Sequence, residues 1–164
     1  MRTTPQHVRR TDSPLGRIEV GSDGESIVSL AIESGGTLPH DHLAEAALPV
    51  LDSAVDQLDA YFAGERRTFD LPLLLRGTPF QLEIWGALQG IGFGEITSYG
   101  ALGLATGRAR AGRPIGGAVG ANPIPILVGC HRVLAGNGRI TGFSAGEGIV
   151  TKAWLLDHEG IAHR

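Results

Sequence analysis

Along the first part of the chain, apolar and polar positions alternate. Ile18 and Val20 are separated by polar neighbours, and the alternation resumes from Ile27 to Ile32 after Ser22-Asp23-Gly24, a turn sequence. Asp12-Ser13-Pro14-Leu15-Gly16 carries turn chemistry of its own, so residues 11–32 predict strands joined by tight turns. After a loop over 34–41 the period lengthens. Leu48, Leu51, Val55, Leu58 and Phe62 recur every three or four residues, which predicts a helix over 43–62, stopped at Gly64. Phe69-Asp70-Leu71-Pro72-Leu73 predicts one more strand, at an edge because Pro72 has no N–H to give a neighbour. Residues 1–76 therefore predict a small α/β domain with a mainly structural role.

The remainder, 77–164, predicts a mainly helical domain. Thr78 is a capping residue and Pro79 suits a first helical position, with Phe80, Ile84, Trp85 and Leu88 forming the buried face of a helix over 78–89. Ser98 caps a short helix over 98–105, Thr106-Gly107 turns, and a small-residue helix runs over 112–121, so the pair reads as a helix-turn-helix. Gly116, Gly117, Ala118, Gly120 and Ala121 leave that second helix almost bare, at a cost in helix stability. Its backbone is therefore expected to be approached closely, by a nucleic-acid groove or by a neighbouring helix. A dinucleotide-binding loop is excluded, because no strand precedes the glycines and no G-x-G-x-x-G is present. Residues 122–125 are rigid and extended, Gly136-Asn137-Gly138 is a tight turn, 142–148 is a glycine-rich loop, and 152–160 is a terminal helix.

Composition narrows the possibilities further. At 164 residues and 42% hydrophobic content the chain has enough apolar material for a packed core. A single cysteine rules out an internal disulfide and a multi-cysteine zinc site, and no metal or other cofactor is expected. No apolar run is long enough for a bilayer, and the basic N-terminus has no apolar segment behind it, so a cytoplasmic protein without membrane contact is expected. The net charge of −3 hides a segregation: only Glu147, Asp157 and Glu159 among the 17 acidic residues follow Glu95. The acid-free stretch carries Arg108, Arg110, Arg113, Arg132 and Arg139. Such a region is expected to attract a polyanion and to lower the pKa of a thiol within it.

That thiol is Cys130, in Ile126-Leu127-Val128-Gly129-Cys130-His131-Arg132-Val133. An apolar run delivers it to two cationic or ionisable neighbours, a setting for a nucleophile, with an inert core cysteine as the equal alternative on these residues alone. His7, His40, His42, His158 and His163 are expected on solvated faces or in loops.

These segments together resemble the O6-alkylguanine-DNA alkyltransferases, also called methylated-DNA–protein-cysteine methyltransferases. The matching residues are Gly94-Glu95 with Ser98-Tyr99-Gly100, Asn122-Pro123-Ile124-Pro125-Ile126-Leu127, Cys130-His131-Arg132-Val133, and Trp154-Leu155-Leu156 followed by His158-Glu159-Gly160. The resemblance implies a ribonuclease H-like sheet plus helix at the N-terminus and a C-terminal helix-turn-helix domain that binds double-stranded DNA containing O6-alkylguanine. It implies direct, irreversible transfer of the alkyl group to Cys130 by a monomer, with the target base flipped from the duplex. His131 corresponds to the base that deprotonates the thiol through a water, and Glu159 to the carboxylate that orients it. Asn122 corresponds to the hinge residue, and Tyr99 to the tyrosine that contacts the base and assists the leaving guanine. Arg113 corresponds to the arginine that fills the vacated stack, with Gly116, Gly117, Ala118, Gly120, Ala121 and Arg132 set with it against DNA. Val133, Phe143, Ser144 and Ala145 are implied in the substrate pocket.

Gly129 stands where that family has proline, Gly92-Phe93 replaces its Pro-Tyr, Phe143 replaces a tyrosine, and 143–152 is longer. These departures predict a thiol held less rigidly and a pocket altered in shape. Pro114 disfavours a helical Arg113, which predicts a displaced arginine or a helix beginning at Pro114. Other readings are a lesion binder that transfers nothing, whose known examples lack the cysteine, a cysteine hydrolase, and a transcription regulator. The last would read the major groove with long polar side chains that the glycine-rich helix does not have.

Overall fold

Strand β2 (Ile18–Ser22) is buried along its whole length. It lies between β1 (His7–Thr11) and β3 (Ile27–Ile32) in an antiparallel sheet of order β1-β2-β3, with Arg9 opposite Val20 and Val20 opposite Leu30. The computed structural model describes residues 4–108 and 112–164. These divide into two compact units: residues up to Arg76 with Ala145–Glu147, and Gly77–Ser144 with Gly148–Arg164.

In the first unit, α1 (Pro49–Phe62) packs on β1 and β2. Leu51, Ala54, Leu58 and Tyr61 meet Val8, Ile18 and Val20 in its core, all of them fully buried. The helix begins at Pro49 rather than at residue 43. A proline at the first helical position has φ preset and needs no N–H partner, while the residue before it, Leu48, is extended. The predicted strand over 69–73 reduces to one bridge. Ile27 N donates to Pro72 O (2.8 Å) and Leu74 N to Ile27 O (2.9 Å), and the proline cannot extend the ladder. Strand β1 was not expected, because Val8 is its one apolar residue in HVRRT. His40 is not simply solvated: its Nδ1 lies 2.8 Å from Oε2 of Glu19, which is itself buried in β2.

The second unit starts at α2 (Pro79–Gln89). Thr78 Oγ1 accepts from Gln81 N (3.1 Å) and Thr78 N donates to Gln81 Oε1 (3.0 Å), a reciprocal cap worth about 1 kcal/mol. Ile84, Trp85 and Leu88 face inward, and Trp85 Nε1 donates to Ala118 O (2.8 Å). Ser98 caps α3 (Tyr99–Ala105) by accepting from Ala101 N (3.0 Å). Helix α4 (Gly112–Gly120) packs against both α2 and α3. Gly103 leaves room for α4 and for the turn after α3: a Cβ there would lie 3.2 Å from Ile115 Cδ1 and 2.9 Å from Arg108 O. Two short strands, β4 (Thr97–Ser98) and β5 (Val133–Leu134), pair in parallel, and a single 3₁₀ turn over Cys130–Arg132 leads directly into β5. Helix α5 (Ile149–His158) closes the unit, burying Thr151, Lys152, Leu155 and Leu156 and stacking Trp154 on His158 with ring centroids 4.8 Å apart.

Candidate active site

The segment that carries Cys130 is held by one side chain. Asn122, buried at 4% exposure, accepts from Ile124 N at Oδ1 (3.0 Å) and donates from Nδ2 to Val128 O (2.8 Å). Between those contacts Ile126 adopts φ 74°, a left-handed conformation that a β-branched residue enters only where its surroundings impose it. Gly129 then makes an inverse γ-turn (φ −74°, ψ 57°), closed by Cys130 N donating to Val128 O (2.8 Å). This φ lies in the range proline prefers, so the turn itself does not need glycine.

The turn leaves Cys130 5% exposed, lining a cavity of about 380 Å³ with Tyr99, Gly116, Val119, Gly120 and residues 141–144. That volume suits a small organic ligand. Thr141 Oγ1 donates to Tyr99 Oη (3.2 Å), and Ser144 Oγ donates to Gly120 O (2.6 Å), so the 141–144 segment is tied to α3 and to the end of α4.

Burial pushes the Cys130 thiol above its ordinary range. A hydrogen bond from Asn122, the Lys152 charge and nearby backbone N–H groups pull the other way and do not overcome it. The expectation of a lowered thiol pKa is thus corrected: desolvation of the buried sulfur outweighs the cationic neighbours. The resting nucleophile is a thiol that needs a base.

His131 is fully buried. Its Nε2 lies 2.7 Å from Glu159 Oε2, and its Nδ1 has no hydrogen-bond partner. A carboxylate only accepts, so Nε2 carries the proton and Nδ1 keeps its lone pair. Desolvation holds His131 below its ordinary pKa; the hydrogen bond and charge of Glu159 oppose this, and the charges of Arg132 and Lys152 add to it. Arg132 donates from Nε to Glu159 Oε1 (2.9 Å), from Nη2 to Oε2 (3.0 Å) and from Nη1 to Ile91 O (2.6 Å). Lys152 is 1% exposed; its Nζ donates to Val133 O (2.6 Å) and Gly142 O (3.1 Å), and among the described residues no carboxylate pairs with it. Burial lowers its pKa, and the Cys130 sulfur opposes that.

Cys130, His131, Glu159 and Asn122 therefore meet in one buried cluster, and Tyr99, Gly116, Gly120, Phe143 and Ser144 share the cavity with the thiol. Arg132 is not on a DNA-facing surface: every nitrogen of its guanidinium is spent inside the protein. Ala118 likewise packs inward and receives Trp85, while Gly117 is exposed and Ala121 half-buried. Val133 lies in β5 with its carbonyl on Lys152, and neither it nor Ala145 lines the cavity. Arg113 is not displaced; it is exposed within α4, with Pro114 in the first turn, where no helical N–H is lost. The expected arginine field is smaller than the sequence suggested. Arg108 pairs with Glu83 (2.7 Å) and lies 4.8 Å over the Phe80 ring, Arg132 is buried, and Arg110 falls outside the described residues. Arg113 and Arg139 remain exposed.

Lys152 and Thr141 were missed. A signal for the first exists: Lys152, Leu155, Leu156 and Glu159 share one helical stripe, which puts the lysine on the apolar face. Nothing in the sequence distinguished Thr141 from any other loop threonine. Among the described residues no group of three or more His, Cys, Asp or Glu is arranged to hold a metal, and no helix is long and apolar enough to cross a membrane.

Two family descriptions match the chain: "6-O-methylguanine DNA methyltransferase, ribonuclease-like domain" over residues 7–75, and "6-O-methylguanine DNA methyltransferase, DNA binding domain" over residues 79–161. The methylated-DNA–protein-cysteine methyltransferase of Haemophilus influenzae is 40% identical over 153 residues, covering 92% of this chain and 84% of its own. The constitutive enzyme of that name from Bacillus subtilis is 38% identical over 157 residues, with 93% and 94% covered. The crystal structure of Mycobacterium tuberculosis OGT in complex with DNA aligns with a TM-score of 0.82 at 41% identity, covering 93% of this chain and 92% of that one.

Proposed function

The chain belongs to the 6-O-methylguanine DNA methyltransferase family, and from that membership and the geometry at Cys130 we propose that it repairs duplex DNA by moving the alkyl group of O6-alkylguanine onto its own sulfur. The observation that carries this reading is a buried thiol on a cavity wall, next in sequence to a buried histidine whose Nδ1 lone pair is unused.

In the proposed reaction His131 Nδ1 takes the Cys130 proton, with a water between them where the two neighbouring side chains do not meet directly. The thiolate attacks the sp³ carbon on O6. The S–C bond forms as the C–O6 bond breaks, and the electron pair departs with guanine, which is protonated as it leaves. Tyr99, hydrogen-bonded through Thr141 and lining the cavity, is the donor at the leaving group. Lys152 stabilises the thiolate by charge and, by holding the Val133 and Gly142 carbonyls, fixes the segments on either side of the cavity. The target base reaches the sulfur only when extruded, and Arg113, planar and cationic on the exposed side of α4, fills the gap in the stack. The thioether formed is stable, so each molecule reacts once. The glycines at 116 and 120 and the Thr141-Gly142-Phe143 edge set which alkyl groups fit. A binder that transfers nothing is not favoured, since nucleophile and base are both in place.

Intact-protein mass after incubation with a duplex carrying one O6-methylguanine tests the reading. The expected result is a gain of about 14 Da, one methylene, in wild type and none in Cys130→Ala, as covalent nucleophilic chemistry requires. An unchanged wild-type mass with the duplex still bound would overturn transfer and leave binding.

A further inference from the structure

Arg132 sits one residue beyond the proposed base, yet its guanidinium turns away from solvent and lies flat against the carboxylate that His131 also touches. We propose that Arg132 is a positioning residue for the transfer reaction: by neutralising Glu159 it keeps His131 an uncharged base with its lone pair on Nδ1. This rests on the reading that Cys130 accepts the alkyl group.

The charges of the cluster carry the inference. Glu159 has no side-chain surface in water; Gly94 N also donates to its Oε1 (3.2 Å), but without the guanidinium the negative charge there would draw a proton onto the neighbouring imidazole and hold it as an ion pair. A protonated ring has N–H at both nitrogens and accepts nothing. Arg132 removes that pull. It is charged at any physiological pH, and its two parallel hydrogen bonds of 2.9 and 3.0 Å match the carboxylate fork. With Glu159 and Arg132 paired, a proton on His131 would leave a net positive charge in a buried volume that already holds Lys152. Among the described residues the charged groups that act on the ring are Glu159, Arg132 and Lys152, and Cys130 is its neighbour in sequence. Glu95, in the neighbouring loop, turns its carboxylate to Gly92 N (2.6 Å).

The clamp also has a built seat. Arg132 Nη1 is anchored on Ile91 O, and a Cβ at residue 129 would lie 2.8 Å from that same Nη1. Gly129 is the space into which the guanidinium fits. This gives the departure from proline at 129 a local consequence that the turn geometry alone does not.

The test follows single-turnover methyl transfer against pH, together with the His131 ring titration by ¹⁵N NMR, in wild type, Arg132→Lys and Arg132→Met. Arg132→Met is expected to move the acid limb and the ring titration upward by about one pH unit or more, at least a tenfold change in proton affinity. Arg132→Lys, slower because it loses the fork and the Ile91 contact, keeps both near their wild-type positions. A side chain that only braces the fold would lower the rate in both variants and move neither titration. An unmoved limb and ring in Arg132→Met, or equal shifts in the two variants, overturns the proposal.

Where Arg132→Met does not fold, the comparison is made between Glu159→Gln and Glu159→Gln/Arg132→Met, the second of which leaves neither member of that ion pair buried without the other. The expected result is a His131 titration that lies below wild type in the first and moves back up in the second. No movement between them overturns the proposal. A wild type that transfers no methyl group at any pH overturns the transfer reading itself, and this one with it.

Discussion

Of the arginines that grip carboxylates, Arg17 and Arg132 differ most usefully in what surrounds them. Arg17, in the first unit, bonds Glu33 (2.7 Å) and Asp41 (2.8 Å), with 33% of its own side chain and 38% of that of Asp41 in water. Arg132, in the second, bonds Glu159 with 9% and 0% exposed. The contact distances are similar, although Arg17 spans two carboxylates and Arg132 forks onto one. At Arg17 solvent screens the charges, and the visible effect is local: hydrogen bonds from Arg17, then from Leu38 N, hold Asp41 down at about 2. At Arg132 nothing screens them, so the pair fixes the charge of a third group. What a salt bridge does is set by where the water is.

Glu159→Ala breaks the buried side of the contrast most severely. It strands the Arg132 charge inside the protein, and urea unfolding is expected to show a loss of about 3–5 kcal/mol, the range for a buried ion pair deprived of one partner. Gly129→Ala sharpens it. The new Cβ pushes on Arg132 Nη1 without removing any charge, and the expected cost is about 1–3 kcal/mol of overpacking, with a slower transfer rate in a single-turnover assay. The smallest effect is expected for Arg17→Ala, which leaves transfer unchanged and barely moves the urea midpoint at pH 7.

Acid separates the two sites further. Asp41 is depressed from 3.8 to about 2, so its contribution is intact above 3.8 and lost as pH falls through that interval. His131 is depressed from 6.5, so the unfolded chain takes up a proton that the folded one refuses, and stability declines once pH drops below 6.5. Midpoints for wild type and Arg17→Ala are therefore expected to fall together from pH 7 to 5 and to converge only below pH 3.8.

The helices of the second unit were legible because their signals are local: Thr78-Pro79 and Ser98 each cap the turn that follows. The reactive pair was legible because Cys130 and His131 are adjacent in sequence. Arg132 was not, since a run of three polar or ionisable residues in one 3₁₀ turn does not say which of them faces inward. That depends on Glu159, 27 residues away, and on a carbonyl at Ile91. Strand β1 escaped for a related reason. Its arginines find partners on other elements, Arg9 at Asp52 and Arg10 through Nη2 at the His40 and Leu43 carbonyls, so polar residues occupy positions that an alternating pattern would make apolar. The pKa of the thiol was misjudged because positive neighbours are visible in a sequence and desolvation is not.

The placement of the two tryptophans has a practical consequence. Trp85 is buried with its indole N–H on Ala118 O, Trp154 is stacked on His158, and both belong to the second unit. Intrinsic tryptophan emission is therefore a spectroscopic window on that unit alone. The carbonyl that Trp85 grips is on the helix proposed to meet DNA, so its colour and intensity report whether α4 is seated. An emission curve that departs from the far-ultraviolet circular dichroism curve on denaturation would give the order in which the two units come apart, with no label added.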